Sequence, residues 1–313
     1  MSIPEQSPIG PTEQIALAVD IGGTKLAVGV VDDRGRLTER HQRPTPRGDA
    51  EELFRSLVEL LDDVGPTERF AVCGVGCGGP MTRGGESVSP LNIPSWRSFP
   101  LRARLASQTG LPTYVDNDAK ALALAEGWVG AAVGSRNYLA MVVSTGVGGG
   151  IVLDGRLLEG SDGNAGHIGH VVVTDHGRPT DAEHVRGVLE AEASGTAIAA
   201  NTGFPAADAD PATVEATGRF VGRAVGSTAN LLDLDFAVVA GSVALGFGDP
   251  FFAAAQREID RICQLDFSRG MRIGPAGCGA EGPLVGAAAV GFRQLGLRIG
   301  LIEPATNDAT RAR

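Results

Sequence analysis

Ala16-Leu17-Ala18-Val19-Asp20-Ile21-Gly22-Gly23-Thr24-Lys25-Leu26-Ala27-Val28-Gly29-Val30-Val31 decides how the rest of this chain is read. Two apolar, β-branched runs flank an Asp, a Gly pair, a Thr and a Lys. They read as two strands joined by a tight hairpin, with Gly22 and Gly23 supplying the positive φ that such a turn needs. Backbone amides exposed at the turn, with the Thr24 hydroxyl, form a concavity suited to phosphate oxygens. Asp20 ends the first strand, where a carboxylate faces a magnesium ion directly or through water. A plain hairpin with a solvated Asp accounts for the same residues. Lys25 either touches phosphate or sits on the solvent side of its strand.

The composition narrows what such a turn serves. The chain has 313 residues, 43% of them hydrophobic, enough for two lobes with cores of their own. Its 45 glycines cluster between apolar runs instead of forming a repeat. A net charge of −10 argues against nucleic acid or an anionic membrane as partner, because both reward basic surfaces. Without a run of eighteen apolar residues no transmembrane helix is expected. Residues 1–13 are polar and Pro-containing, a disordered lead-in and not a signal peptide. Cys73, Cys77, Cys263 and Cys278 show neither a disulfide framework nor a metal-knuckle spacing, so they read as small buried hydrophobes in a reducing cytoplasm.

Along the chain, 37–43 reads as a third strand, 50–61 as an amphipathic helix and 70–75 as a buried strand ending in Gly76-Cys77-Gly78-Gly79-Pro80. A short helix follows over 101–108, and a brief strand over 113–115 leads into Asp116-Asn117-Asp118 and a helix over 119–126. The pattern then repeats in outline. Tyr138 to Val143 is a strand, Ser144-Thr145-Gly146-Val147-Gly148-Gly149-Gly150 a turn, and Ile151 to Leu153 the returning strand. Helices are expected over 191–202, 214–230 and 251–265, and a buried strand over 236–240 ends at Gly241-Ser242. Two α/β lobes, each opening on a glycine-turn hairpin, would face their turns toward one cleft. The boundaries expected are 14–118 and 119–296, with a C-terminal helix near 297–313 packing back on the first lobe.

Paired glycine turns, a Gly-Ser after a buried strand and an Asn-Asp at a helix start resemble the actin-like ATPase superfamily, and within it the ROK sugar kinases. The resemblance covers almost the whole chain. Asp20 to Lys25 is similar to that family's first phosphate motif, Ser144 to Gly150 to its second, and Val239-Ala240-Gly241-Ser242 to its adenosine-side segment. Gly79-Pro80, Asn92 with Trp96, and Asn117-Asp118-Ala119 are similar to its sugar-side segments. Ala165-Gly166-His167-Ile168-Gly169-His170 and Leu189-Glu190-Ala191-Glu192-Ala193-Ser194-Gly195 complete the set.

The resemblance implies an α/β, two-lobed, ribonuclease H-like fold with its active site in the interlobe cleft. The implied activity is ATP-dependent phosphorylation of a hexose or hexosamine at the 6-hydroxyl. Asp118 would be the general base, taking the hydroxyl proton as the oxygen–phosphorus bond forms; its position equally suits a helix N-cap. Gly79, Asn92, Asn117, His167, His170 and Glu190 would surround the sugar with Asp118, although Glu190 also reads as a solvated carboxylate at a helix start. Gly22, Gly23, Thr24, Lys25, Thr145, Gly146, Gly148, Gly241 and Ser242 would bind ATP, with magnesium held by phosphate oxygens, water and Asp20. The partners implied are a sugar, ATP and a second copy of the chain, with no nucleic acid and no membrane. The family's repressors carry a helix-turn-helix domain ahead of the first phosphate motif; nineteen residues before Asp20 are too few for one, which favours the enzyme.

Two departures stand out. Most of the family has Glu where this chain has His167, and an imidazole donates one hydrogen bond and accepts one where a carboxylate only accepts. Bacterial N-acetylmannosamine kinases of the family also carry His there, which turns the expected substrate toward N-acylated hexosamines; glucose with His167 merely filling space is the alternative. The family also places three zinc-binding cysteines between its His and Glu, and between His170 and Glu190 this chain has none. The corresponding positions fall on Asp181, Glu183 and Val188, with His176 and His184 nearby. No structural zinc is expected, and a rebuilt oxygen/nitrogen site is the alternative.

Overall fold

The computed structural model describes residues 14–179 and 185–303. The opening segment forms strands β1 (Ile15–Ile21) and β2 (Lys25–Asp32), followed by β3 (Leu37–Pro44) and helix α1 (Ala50–Asp62). Then come β4 (Val72–Cys77), α2 (Leu101–Thr109), β5 (Thr113–Asn117) and α3 (Asp118–Trp128). The second half begins with β6 (Tyr138–Val143), β7 (Val147–Leu153) and β8 (Arg156–Leu157). Helices α4 (Leu189–Ala193), α5 (Gly195–Thr202) and α6 (Pro211–Leu232) precede β9 (Phe236–Ala240). Helices α7 (Ser242–Phe247) and α8 (Asp249–Ile262), strand β10 (Arg272–Pro275) and helix α9 (Gly282–Gln294) complete the described chain.

The strands make two five-stranded sheets, ordered β3-β2-β1-β4-β5 and β10-β9-β6-β7-β8. Read from β8, the second sheet repeats the first. An antiparallel hairpin extends by one further antiparallel strand, and the hairpin's first strand pairs in parallel with a later strand and through it with a second. The outline repeat seen in the sequence is therefore a duplication of topology.

Alternation along each hairpin sorts side chains by size. Leu17, Val19 and Ile21 pack under α1 with Leu53, Phe54 and Leu57, while Ala16, Ala18 and Ala27 face the middle of the molecule. In the second sheet Leu139, Met141 and Val143 pack toward α6 and α8, and Ala140 turns to the middle. The two inner faces are thus paved with small residues, and the period of two decides which face each residue meets.

Two helices, α3 and α9, fill the space between the sheets. Helix α3 packs on β6 and β7, and α9 packs on β1, β4 and α3. Backbones approach closely there. A Cβ added at Gly74 would collide with the Ala287 carbonyl, and one at Gly286 with the carbonyl of Ala121. Gly74→Ala is therefore expected to destabilise the protein by about 1–3 kcal/mol through overpacking, read as a lower urea midpoint; an unchanged midpoint would mean that α9 shifts freely.

The packing back onto the first sheet expected of a helix near 297–313 is supplied by α9, at 282–294 and so within the stretch assigned to the second lobe. Residues 295–303 carry turns and no helix, and 304–313, like 1–13, lie outside the described residues. The single helix expected over 191–202 is broken at Ser194, whose extended backbone ends α4 and whose hydroxyl caps α5 by accepting from Ala197 N. Among the described residues no helix is long and apolar enough to cross a membrane. Cys73, Cys77 and Cys263 are buried, as expected, and Cys278 is partly exposed; all four are free.

Candidate active site

The two glycine turns face each other across a cavity of about 240 Å³ between the sheets. Gly22, Gly23 and Thr24 line it from the first sheet, and Ser144, Thr145, Gly146 and Gly148 from the second. The first turn is closed by Gly22 N donating to Lys25 O at 3.0 Å and anchored by the Thr45 hydroxyl, which donates to Gly22 O at 2.7 Å. Gly23 is needed for a different reason than expected. Neither Gly22 nor Gly23 lies in the left-handed region; a Cβ on Gly23 would come within 2.6 Å of Asn92 Cβ. Close approach of the Asn92 segment, and not positive φ, requires glycine there.

The second turn is held from behind. Gly195 N donates to Ser144 O at 2.7 Å, the Thr196 hydroxyl donates to Thr145 O at 2.9 Å, and the hydroxyls of Ser144 and Ser242 lie 3.0 Å apart. Gly241 and Ser242 do not line the cavity, yet this contact sets them beside it. Gly241 has φ +102°, a conformation L side chains rarely adopt, and it abuts the Val143 backbone.

Asn117 ends β5 and Asp118 opens α3. Asn117 is the helix cap: its Oδ1 accepts from Ala119 N at 3.0 Å, and Asp118 is already helical. The capping role that Asp118 could have filled thus falls to its neighbour, although Asp118 Oδ1 also accepts from Ala119 N at 2.8 Å. Burial pushes the Asp118 carboxyl above the usual carboxylate range, opposed by backbone N–H groups at the helix start and by His167. A raised carboxyl in a cleft is suited to take up a proton.

Asp20 ends β1 beside it: a Cβ on Gly76 would lie 3.8 Å both from the Asp118 Cα and from Asp20 Oδ1. Burial, reinforced by the charge of Asp118, raises the Asp20 carboxyl to about 7, against the pull of Lys25 and Arg40. The folded chain then retains a proton that the unfolded chain releases above pH 3.8. The stability tied to this proton is present at low pH and lost as pH rises toward about 7. In the presence of EDTA, Asp20→Asn is expected to remove that slope and to melt above the parent at pH 8, with the gap closing toward pH 5. Parallel melting curves over that range would overturn the assignment.

The remaining sugar-side positions close the ring. A Cβ on Gly79 would lie 3.2 Å from Asn117 Nδ2 and 3.8 Å from His167 Nε2. The His167 and His170 rings meet edge to face, 5.9 Å between centroids. On the opposite side a Cβ on Gly146 would lie 2.8 Å from Glu190 Oε2 and 3.9 Å from Asn92 Nδ2. Glu190 Oε2 accepts from Val147 N at 2.7 Å, so one oxygen holds the start of β7 and the other is left for a ligand.

Gly79, Asn92, Asn117, Asp118, His167, His170 and Glu190 all line the cavity. Lys25 does not; it is half-buried at the start of β2, and its charge acts on Asp20. Trp96 is also elsewhere: fully buried, it stacks on Phe99 at 4.3 Å and donates to Ala50 O, so it belongs to the core under α1. Lys120 and Asn164 line the cavity without having been singled out. No local signal marked Lys120, because a lone Lys on an Ala- and Leu-rich helix reads as a solvated face.

Of the residues at the missing-cysteine positions, Asp181, Glu183 and neighbouring His184 lie outside the described residues. Val188 is fully buried and apolar, and His176 is exposed. Among the described residues no three His, Cys, Asp or Glu gather to hold a metal.

Two sheets of duplicated topology, each presenting a glycine turn to a shared cleft, define the two-lobed actin-like class of fold. The ROK family model matches residues 16–293, and the chain belongs to that family. It is 38% identical over 251 residues to an N-acetylmannosamine kinase of Citrobacter koseri, covering 74% of this chain and 84% of that one. A glucokinase of Thermotoga maritima is 39% identical over 185 residues, a stretch covering 58% of each protein. Among solved structures, a ROK family glucokinase from Streptomyces griseus in complex with glucose and AMPPNP superposes with a TM-score of 0.76 at 26% identity, covering 90% of this chain and all (100%) of that one.

Proposed function

We propose that this chain transfers the γ-phosphoryl group of ATP to the 6-hydroxyl of an N-acylhexosamine, N-acetylmannosamine or N-acetylglucosamine. The observation that carries the reading is Asp118, its carboxyl raised by burial, standing between two glycine turns and beside the His167–His170 pair. The turns hold the donor's phosphates on backbone amides and the Thr24 and Thr145 hydroxyls. Asn92, Asn117 and Glu190 orient the acceptor. The acceptor oxygen forms its bond to phosphorus as the bond to the β-phosphate oxygen breaks, and its proton passes to Asp118.

Asp20 suits magnesium: a hard carboxylate at a strand end, on which no hydrogen bond among the described residues ends. Together with water and phosphate oxygens it would hold the ion, which supplies charge neutralisation on the phosphates.

The imidazole at position 167 favours the N-acyl class. It offers a donor and an acceptor to an amide, whereas a carboxylate there would only accept. The glucokinase similarity favours the second reading, glucose as acceptor. ADP release measured on glucose, N-acetylglucosamine, N-acetylmannosamine, mannose and fructose separates them. The expected ranking puts an N-acetylhexosamine first. A preference for glucose by about 10², well inside the roughly 10⁴–10⁵ that stranded polar groups can enforce, would replace the first reading with the second.

A further inference from the structure

Lys120 has no role in the chemistry above, yet it is among the most buried side chains of the molecule, 1% exposed. Its ammonium group is saturated. Nζ lies 2.9 Å from Asp116 Oδ1 and donates to Glu159 Oε2 at 2.6 Å and to Gly163 O at 3.1 Å, three acceptors for three hydrogens. Glu159 is held from its other oxygen by Arg293 Nη1 at 2.9 Å.

The partners belong to two different parts of the fold. Asp116 is the last residue but one of β5, one before Asn117 and two before Asp118. Glu159 and Gly163 open the loop after β8, and this loop runs into His167. Asn164 makes a weaker tie in the same sense, its amide donating to Met81 O at 3.2 Å just beyond Gly79. Lys120 also stands between two spaces. It lines the acceptor cavity, and on its other side a cavity of about 660 Å³, bordered by Arg83, Ser161 and Arg293, leaves the loop room to withdraw.

We propose that Lys120 is a positioning residue which, through Glu159 and the Gly163 carbonyl, fastens the His167 loop to the strand end carrying Asn117 and Asp118, and so sets affinity for the acceptor sugar. Glu159 is itself 46% exposed, but the buried Lys120 ammonium and the buried Arg293 guanidinium each lose more by leaving it than a surface cation would. The ATP side is built from the two glycine turns, and none of the network's hydrogen bonds or ion pairs ends on them. The consequence is therefore one-sided.

The inference rests on the kinase reading, and its test has an arm that needs no turnover. Glu159→Gln keeps the side chain's shape and removes the charge that Lys120 and Arg293 share. It is expected to raise the sugar KM about tenfold with the ATP KM within twofold, and to speed amide hydrogen exchange over 158–167. Lys120→Met should act in the same direction, and the double variant should be no worse than the poorer single, because both cut one fastening. Lys120→Arg should restore most of the sugar affinity. Unchanged exchange in the loop, or sugar and ATP KM rising together, would overturn the proposal. Wild-type protein inactive on every sugar would instead sink the kinase reading, leaving the exchange arm to judge the fastening.

Discussion

Asp118→Asn is expected to lower phosphoryl transfer to every acceptor by about 10²–10⁴, the range for loss of a positioned general base. The replacement keeps the shape of the side chain and removes its ability to take a proton. The structure separates this loss from unfolding. Asn117, not Asp118, caps α3 through its 3.0 Å bond to Ala119 N, so the helix start survives the change. The melting temperature should not fall below that of the parent, because a charge opposed by burial and by Asp20 is removed, and ATP should still bind, since the turns carrying Gly22 to Thr24 and Ser144 to Gly148 are untouched. The measurements are kcat, ATP affinity and a thermal melt of the same preparation. Turnover at the wild-type level would remove Asp118 from the mechanism.

Glu126→Ala is expected to cost stability without touching the cavity. Glu126 lies near the end of α3 and is fully buried. Its Oε2 accepts from Ala131 N and Gly277 N, both at 2.8 Å, and its Oε1 from Cys278 N at 2.9 Å. The carboxylate thus ties α3 to the turn that follows it and to the segment between β10 and α9. Removing it leaves three part-buried N–H donors without their acceptor, although Ala131 and Gly277 are themselves exposed to water. With water able to serve the donors at the exposed residues, the loss of the charge-assisted bonds should come to about 2–4 kcal/mol. Urea unfolding at constant slope checks it; a change below about 1 kcal/mol would mean that water or a backbone shift serves the donors.

Both residues sit on α3, and the helix shows how unevenly the sequence could be read. Its start was legible, because Asn-Asp after a strand is a local signal. Glu126 and Lys120 were not. A charge on an Ala- and Leu-rich helix reads as a solvated face, and nothing local says that the helix lies between two sheets. The helix α9 was missed for a related reason. Its run of Gly and Ala, Gly286 to Ala289, carries little hydrophobic periodicity, and its purpose emerges only against Gly74 and Ala121. Gly23 was picked out for a torsional reason, while the neighbour that excludes a side chain there, Asn92, lies far along the chain.

The Ala16 to Val31 segment by itself determined a hairpin with an Asp at the strand end, and the alternation of Leu17 and Val19 with Ala16 and Ala18 already separated a large-residue face from a small one. Those are properties of neighbours, set by backbone sterics and a period of two. Tertiary structure alone decided that the turn of this hairpin would oppose the one at Ser144 to Gly150, that Trp96 would belong to the core and not to the site, and that Lys120 would bridge Asp116 to Glu159. Contacts between distant residues depend on how closely two backbones can approach, and here the small residues between the sheets set that distance.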